Sequence, residues 1–187
     1  AQGDAPHAQL VHQLFPLQPC KFFRILHGDT SFFLFDRSFN GFDQAVKLYV
    51  VSHLALYESA PLLPGVVELL YIQNTGGGFS ILAGHTWLLT ILTAALMAGV
   101  AALMVKRVFP HPLAMWSMAA ILGGGLGNLI DRVRLGYVVD MFNFQFMDYP
   151  VFNVADILVV CGTVCFAAYY LFLYDKPSKK GGEEADH

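Results

Sequence analysis

Three long apolar runs constrain the fold of this chain more than any other feature. They cover residues 87–105, 113–130 and 151–174, and only the last contains a charged residue, Asp156. About 20 mostly apolar residues are enough for a helix to cross a bilayer. The chain is 56% hydrophobic and 13% charged, whereas soluble domains average about 25% charged residues. The sequence therefore predicts an all-α membrane protein with three clear spans.

The basic residues predict the orientation of these spans. Lys106 and Arg107 lie between the first two runs, and a second basic group follows the last run at 176–180. Two crossings separate these groups, so they lie on one side, which the positive-inside rule makes cytoplasmic. Segment 66–82 and the polar loop 132–150 are then expected on the outer face of the membrane.

The remaining segments divide the chain into three parts. Residues 1–42 contain no spanning run and are predicted to be an atypical, disordered or non-native N-terminal segment. A membrane domain is predicted over 43–174, followed by a polar cytoplasmic tail at 175–187. Within the domain, 43–59 has a helical pattern that Pro61 and Pro64 interrupt. Segment 66–82 has the pattern of a strand, a glycine turn at 76–78 and a second strand, which predicts a small extracytoplasmic flap.

Polar residues concentrate between the second and third runs, and two of them suggest chemistry. Asp140 follows one predicted span and Asp156 lies near the start of the next, so a short loop brings them together. Two carboxylates at close range can share a proton, with one acting as general base on water and the other as general acid. The spacing alone is also compatible with a structural polar network, or with a proton or ion pathway.

Other kinds of site find little support in the sequence. It has no G-x-S-x-G elbow and no H-E-x-x-H motif, and its glycine-rich run GGGLGN at 123–128 lacks the lysine of a phosphate loop. Cys161 and Cys165 are interpreted as small apolar residues. We expect no metal and no cofactor. Because no basic patch is present, we expect no nucleic-acid partner.

Five sequence blocks together identify a family. They are DQAVK at 43–47, NTGGGFS at 74–80, GGGLGNLIDR at 123–132, GYVVDM at 136–141 and FNVAD at 152–156. In their order and spacing the chain resembles lipoprotein signal peptidase, also called signal peptidase II. The resemblance implies a membrane aspartic endopeptidase with a four-helix transmembrane bundle. Its substrates would be diacylglyceryl-modified prolipoproteins, cut just before the lipid-modified cysteine. The segment that would supply the first span is charged and broken here.

The resemblance also implies roles for particular residues. Asp140 and Asp156 match the family's two catalytic aspartates. Substrate-binding or supporting positions fall on eight further residues: Asp43, Lys47, Asn74, Gly76, Asn128, Asp131, Arg132 and Asn153. On local grounds alone, Asn74 would be a turn residue and Lys47 a lysine that snorkels to the surface. The implied protein is a monomer in the bacterial plasma membrane, in contact with membrane lipids, with its active site on the extracytoplasmic face.

Overall fold

A computed structural model describes residues 38–76 and 84–174 of the 187-residue chain. Four helices and three strands form this part of the protein. In chain order they are α1 (38–53), β1 (Ser59–Leu63), β2 (Val67–Asn74), α2 (Thr86–Val105), α3 (Pro112–Leu135), β3 (Val138–Phe144) and α4 (Val154–Phe172). Helices α2, α3 and α4 are long and apolar enough to cross a membrane, which confirms the three predicted spans.

Helix α3 is the central helix of the bundle. The protein itself buries 61% of its most apolar window, compared with 6% for α2 and 17% for α4. Helix α3 packs against both of these neighbours. The outer surfaces of α2 and α4 are therefore left to the lipid, while α3 can carry polar side chains into protected positions.

Glycines allow the helices to approach α3 closely. A methyl group at Gly124 would overlap the backbone oxygen of Ala155 on α4, and one at Gly125 would overlap the Met97 side chain on α2. At Gly127 a methyl group would lie 2.9 Å from Asp43 Oδ2 on α1. The glycine run thus provides the close helix contact that small residues permit in membranes.

The two helix ends that flank the segment between α3 and α4 have well-defined caps. Helix α3 extends five residues beyond the predicted end of its span and stops at Gly136, whose φ of 81° is a left-handed conformation that glycine adopts freely. Asp131 and Arg132 therefore lie within the helix. Helix α4 begins after Asn153, which forms a capping box with Asp156.

The three strands form an antiparallel sheet in the order β1–β2–β3. Ile72 on β2 pairs with Asp140 on β3, and an isolated bridge joins Phe142 to Phe152 just before α4. The sheet packs against α1 through a buried apolar core that contains Val50. Only two residues separate the end of α3 from the start of β3, so the sheet lies directly at this end of the bundle.

Several predicted boundaries were wrong. Helix α1 already includes residues 38–42 and ends at 53, before the predicted end at 59. Ser59 begins β1 instead, and Pro61 is accommodated because β1 is an edge strand, where a missing N–H need not pair. The first strand of the predicted flap is confirmed as β2, and it pairs with β1 and β3.

The segment 132–150 was wrongly predicted to be a loop. Its run of β-branched and aromatic residues forms β3, and Asp140 therefore lies on a strand and not beside a helix end. Three predicted features fall outside the described residues: the properties of 1–37, the second flap strand within 77–83 and the tail at 175–187.

Candidate active site

Asp140 and Asp156 line the same cavity, which has a volume of about 450 Å³. Asp140 comes from the middle of β3, and Asp156 is the third residue of α4. The cavity lies where the sheet meets the ends of α3 and α4. Four other predicted site residues also line it: Asn74, Gly76, Asn128 and Arg132.

Asn153 connects the two carboxylates from behind the cavity. Its side-chain Nδ2 donates to Asp140 Oδ1 at 2.7 Å, and its backbone N–H donates to Asp156 Oδ2 at 3.2 Å. In return, Asp156 N–H donates to Asn153 Oδ1 at 2.9 Å. The residue that caps helix α4 thus also sets the relative position of the two acids.

The environment of Asp140 favours its neutral form. The residue is only 2% exposed. Burial, and next the negative charge of Asp156, raise the pKa of Asp140 to about 7. Hydrogen bonds from Asn74 and Asn153 and the positive charge of Lys47 oppose this rise. Asp140 can therefore retain a proton near neutral pH.

Asp156 has a different set of partners. It is less buried than Asp140, and it lies in the first turn of a helix, where its Oδ2 accepts a hydrogen bond from the backbone N–H of Asn153. Asn128 on α3 donates to Asp156 Oδ1 at 2.7 Å. The two acids thus differ in burial, backbone context and hydrogen-bond donors.

The end of β2 closes one side of the cavity. Asn74 Nδ2 donates to Asp140 Oδ2 at 2.8 Å, while Asn74 Oδ1 accepts a hydrogen bond from Gly76 N–H at 2.9 Å. Arg132 Nη2 donates to the Gly76 backbone oxygen at 3.2 Å. Arg132 Nε is buried and has no hydrogen-bond partner among residues 38–76 and 84–174. Asn74 is therefore both a turn residue and a direct partner of an acid.

Asp43, Lys47 and Asp131 do not line the cavity. They form a buried ion cluster behind Asn128, in which Lys47 Nζ lies 2.9 Å from Asp43 Oδ2 and 2.8 Å from Asp131 Oδ2. Lys47 is 3% exposed, so the interpretation as a snorkelling lysine was wrong. Asp43 Oδ1 also accepts from Ala155 N–H at 2.9 Å and thereby helps to cap α4.

Gln44 belongs to this cluster and was not predicted as a site residue. Its Nε2 donates to Asp131 Oδ1 at 2.8 Å, which ties α1 to α3. Its position directly after Asp43 was the available sequence signal. That signal was weak, because an amide beside an acid is common at the start of any helix.

An apolar wall faces the polar residues of the cavity. It combines the loop before α4 with one side of α4 itself, and its members include Tyr149, Phe152, Val159 and Val160. Val160 lies one turn beyond Asp156 and is 56% exposed on the outer surface of α4. The cavity therefore continues from the carboxylates along the lipid-facing side of a span.

Comparison with known proteins assigns the fold and site to a family. The family model described as "Signal peptidase (SPase) II" matches residues 38–172. This match includes every described helix and strand. The chain belongs to the signal peptidase II family.

Individual relatives agree with this assignment. The chain is 42% identical over 125 residues to proteins named lipoprotein signal peptidase from Streptococcus pyogenes serotype M2 (strain MGAS10270) and serotype M5 (strain Manfredo). The match covers 65% of this chain and 80% of each relative.

Two solved structures share the fold. Both are described as a bacterial membrane enzyme determined by the in meso method, at 2.3 Å and 1.9 Å resolution, and both are 24% identical to this chain. Their TM-scores are 0.73 and 0.71, covering 84% and 78% of this chain and 95% of each of theirs. The resemblance stated from the sequence blocks is therefore confirmed. The protein is a multi-pass membrane member of the signal peptidase II family, and a transporter or a non-enzymatic scaffold is not favoured.

Proposed function

We propose that the protein is an aspartic endopeptidase that removes the signal peptide from diacylglyceryl-modified prolipoproteins, cutting before the lipid-modified cysteine. One observation supports this proposal above the others: two carboxylates with different environments share a cavity that continues along the lipid-facing side of α4. The carboxylates supply acid and base, and the apolar side of the cavity suits a substrate that remains in the membrane.

In the proposed reaction, Asp156 acts as the base and Asp140 as the acid. Asp156 takes a proton from a water molecule, whose oxygen attacks the scissile carbonyl carbon, while Asp140 donates its proton to the carbonyl oxygen. The resulting tetrahedral diol then collapses. One hydroxyl returns its proton to Asp140, the C–N bond breaks, and Asp156 passes its proton to the leaving amine. The pKa of Asp140, raised to about 7 by burial and by Asp156, supports its role as the proton holder.

The supporting residues are assigned by their contacts. Asn74, Asn128 and Asn153 orient the carboxylates through the hydrogen bonds described above. Arg132 is placed to bind the substrate backbone, because it lines the cavity and its Nε has no partner in the described part of the chain. Asp43, Lys47 and Asp131 support the site from behind, and Gly76 provides a backbone oxygen at its edge.

We place the active site on the extracytoplasmic face, in contact with membrane lipids. Lys106 and Arg107 follow α2 and lie at the end of α3 opposite to the sheet. If that end is cytoplasmic, as the positive-inside rule predicts, the cavity opens outside. We also propose a monomer, since one chain supplies both carboxylates and all their described hydrogen-bond donors.

The decisive experiment uses the purified protein in lipid and a synthetic diacylglyceryl-modified prolipoprotein, with release of the signal peptide followed by mass spectrometry. The parent protein is expected to cleave, and Asp140→Asn and Asp156→Asn are expected not to. Asp148→Asn is the matched control, because Asp148 is an exposed acid between β3 and α4. An inactive but folded parent protein would overturn the proposed function, and cleavage by either dyad variant would overturn the mechanism.

A further inference from the structure

The orientation of the Asn128 side chain is determined by its neighbours. Lys47 Nζ, which can only donate, lies 3.1 Å from Asn128 Oδ1. Asn153 Nδ2 donates to the same oxygen at 3.1 Å. The amide oxygen must therefore face these two donors, which directs Asn128 Nδ2 toward Asp156 Oδ1 at 2.7 Å.

Lys47 is itself firmly held. It is 3% exposed and contacts the carboxylates of Asp43 and Asp131. Each carboxylate is anchored in turn, since Asp43 Oδ1 accepts from Ala155 N–H and Asp131 Oδ1 accepts from Gln44 Nε2. If Lys47 turned toward solvent, it would leave the two buried carboxylates without their cation, which is strongly unfavourable. The position of its Nζ is thus part of the architecture of the site.

We propose that Lys47 is a positioning residue that acts through Asn128 to make Asp156 the base of the pair. This inference rests on the proposed function, and it adds the reason why the two acids differ. Lys47 directs an amide N–H at Asp156 through Asn128, whereas its positive charge also acts on Asp140. The difference between the two acids therefore rests on this amide N–H. Asp140 consequently remains the acid that holds the proton.

Charged groups from every neighbouring element face this pair. Helix α1 contributes Asp43 and Lys47, α3 contributes Asp131 and Arg132, and β3 contributes Asp140 itself. The cluster of Lys47 with its two carboxylates has a net charge of −1, from one positive and two negative groups. Without Lys47 it would have a charge of −2, and the ionised form of Asp156 would be disfavoured.

The test compares Lys47→Met with Lys47→Arg in the full-length protein in lipid. We expect the acidic limb of the pH profile of kcat to move to higher pH by about one unit in Lys47→Met. At a fixed acidic pH, kcat should then be about tenfold lower than in the parent protein. Lys47→Arg keeps the charge, so its limb should stay in place even if kcat falls. The control is Lys106→Met, which removes an exposed lysine far from the cavity.

A second variant and a second measurement keep the inference testable. If Lys47→Met does not fold, the double variant Asp43→Asn/Lys47→Met takes its place. The double variant keeps the net charge of the cluster at −1, and the amide oxygen at position 43 can still accept a hydrogen bond from Ala155 N–H. Infrared titration should follow the protonated-carboxyl band that Asp156→Asn removes. This band is expected to titrate at higher pH in Lys47→Met. In the double variant, which keeps the net charge of the cluster, a smaller shift in the same direction should remain because the donor to Asn128 Oδ1 is lost. The titration is measured without substrate. If a variant folds but neither its acidic limb nor its carboxyl band is shifted, the inference is overturned. If the parent protein is inactive but the carboxyl band shifts in the variant, only the proposed function is overturned.

Discussion

Asn74 and Asp140 lie diagonally across the β2–β3 pair and are joined by a 2.8 Å hydrogen bond from Asn74 Nδ2 to Asp140 Oδ2. The pairing places Asp140 opposite Ile72 and Asn74 opposite Val138, so both side chains lie on the same face of the sheet. Strand register thus delivers an amide donor to one member of the acid pair.

Asn74→Ala should shift the alkaline limb of activity to higher pH. In the parent protein, kcat/KM is expected to fall as the pH rises through about 7, because Asp140 loses the proton that it donates. The Asn74 hydrogen bond stabilises the ionised form, so its loss raises the pKa of Asp140 further, by about one unit. The pH profile of cleavage measures this shift.

Asn143→Ala is the control for Asn74→Ala, because Asn143 lies on the same strand as Asp140 but donates to Glu68. An unchanged or acid-shifted limb would contradict the prediction.

Asp140→Asn should gain stability relative to the parent protein as the pH rises. The folded-state pKa of Asp140 lies above its ordinary value of 3.8. The stability associated with its neutral form is therefore complete below about pH 4 and is lost as the pH rises through 7. The NH2 of the new side chain would face the Asn74 or Asn153 donor at every pH, so the test is the change with pH. The unfolding temperature of Asp140→Asn relative to the parent, measured in detergent, should rise by a few degrees from pH 4 to pH 8, on the order of the shift expected for 1–2 kcal/mol. An equal difference between variant and parent at both pH values would show that the ionisation of Asp140 does not affect stability.

Asn153→Ser and Asn153→Ala should separate the two roles of this residue. Both variants lose the buried Nδ2 hydrogen bonds, but serine can still cap α4 whereas alanine cannot. Asn153→Ala should therefore be less stable than Asn153→Ser by about 1 kcal/mol. Both variants lack the Nδ2 group that donates to Asp140, so both should lose most of their activity. Unfolding temperatures and cleavage rates of the pair test this separation. Full activity in Asn153→Ser would mean that the donor is dispensable.

Gly124→Ala and Gly99→Ala form a matched pair for the helix contact. A methyl group at Gly124 meets the Ala155 backbone, while one at Gly99 on α2 meets nothing within 4 Å. We expect Gly124→Ala to lose about 1–3 kcal/mol through overpacking, and Gly99→Ala to be neutral or slightly stabilised by its better helix propensity. Thermal unfolding of both variants provides the comparison. Equal stability would argue against close packing of α3 on α4.

Local sequence patterns predicted the spans well and the strand positions poorly. The runs that became α2, α3 and α4 contain almost no charge, and in a membrane that property alone determines where a helix can cross. Strand β3 was missed because its run VVDMFNF is short and buried on both faces at its start, so it has no clear alternation of polar and apolar residues. The length of α1 was overestimated because no local signal shows that Ser59 and its neighbours pair with β2.

The acid pair was accessible from the sequence, but its surroundings were not. Asp140 and Asp156 stood out because ionisable groups beside spans are rare. The buried ion cluster could not be foreseen from patterns, since Lys47 and Asn128 are 81 residues apart and meet only through the packing of α1 on α3. Gln44 was overlooked for the same reason. Its partner on α3 is 87 residues away.

The hydrogen bond from Ala155 N–H to Asp43 joins residues 112 positions apart, and it links the two ends of the described fold. Asp43 lies on α1, the first described helix, whereas Ala155 precedes Asp156 in the first turn of α4, the last one. The turn that holds Asp156 is therefore completed by a side chain from the opposite end of the described chain. The geometry of the acid pair thus depends on α1, although neither acid belongs to that helix.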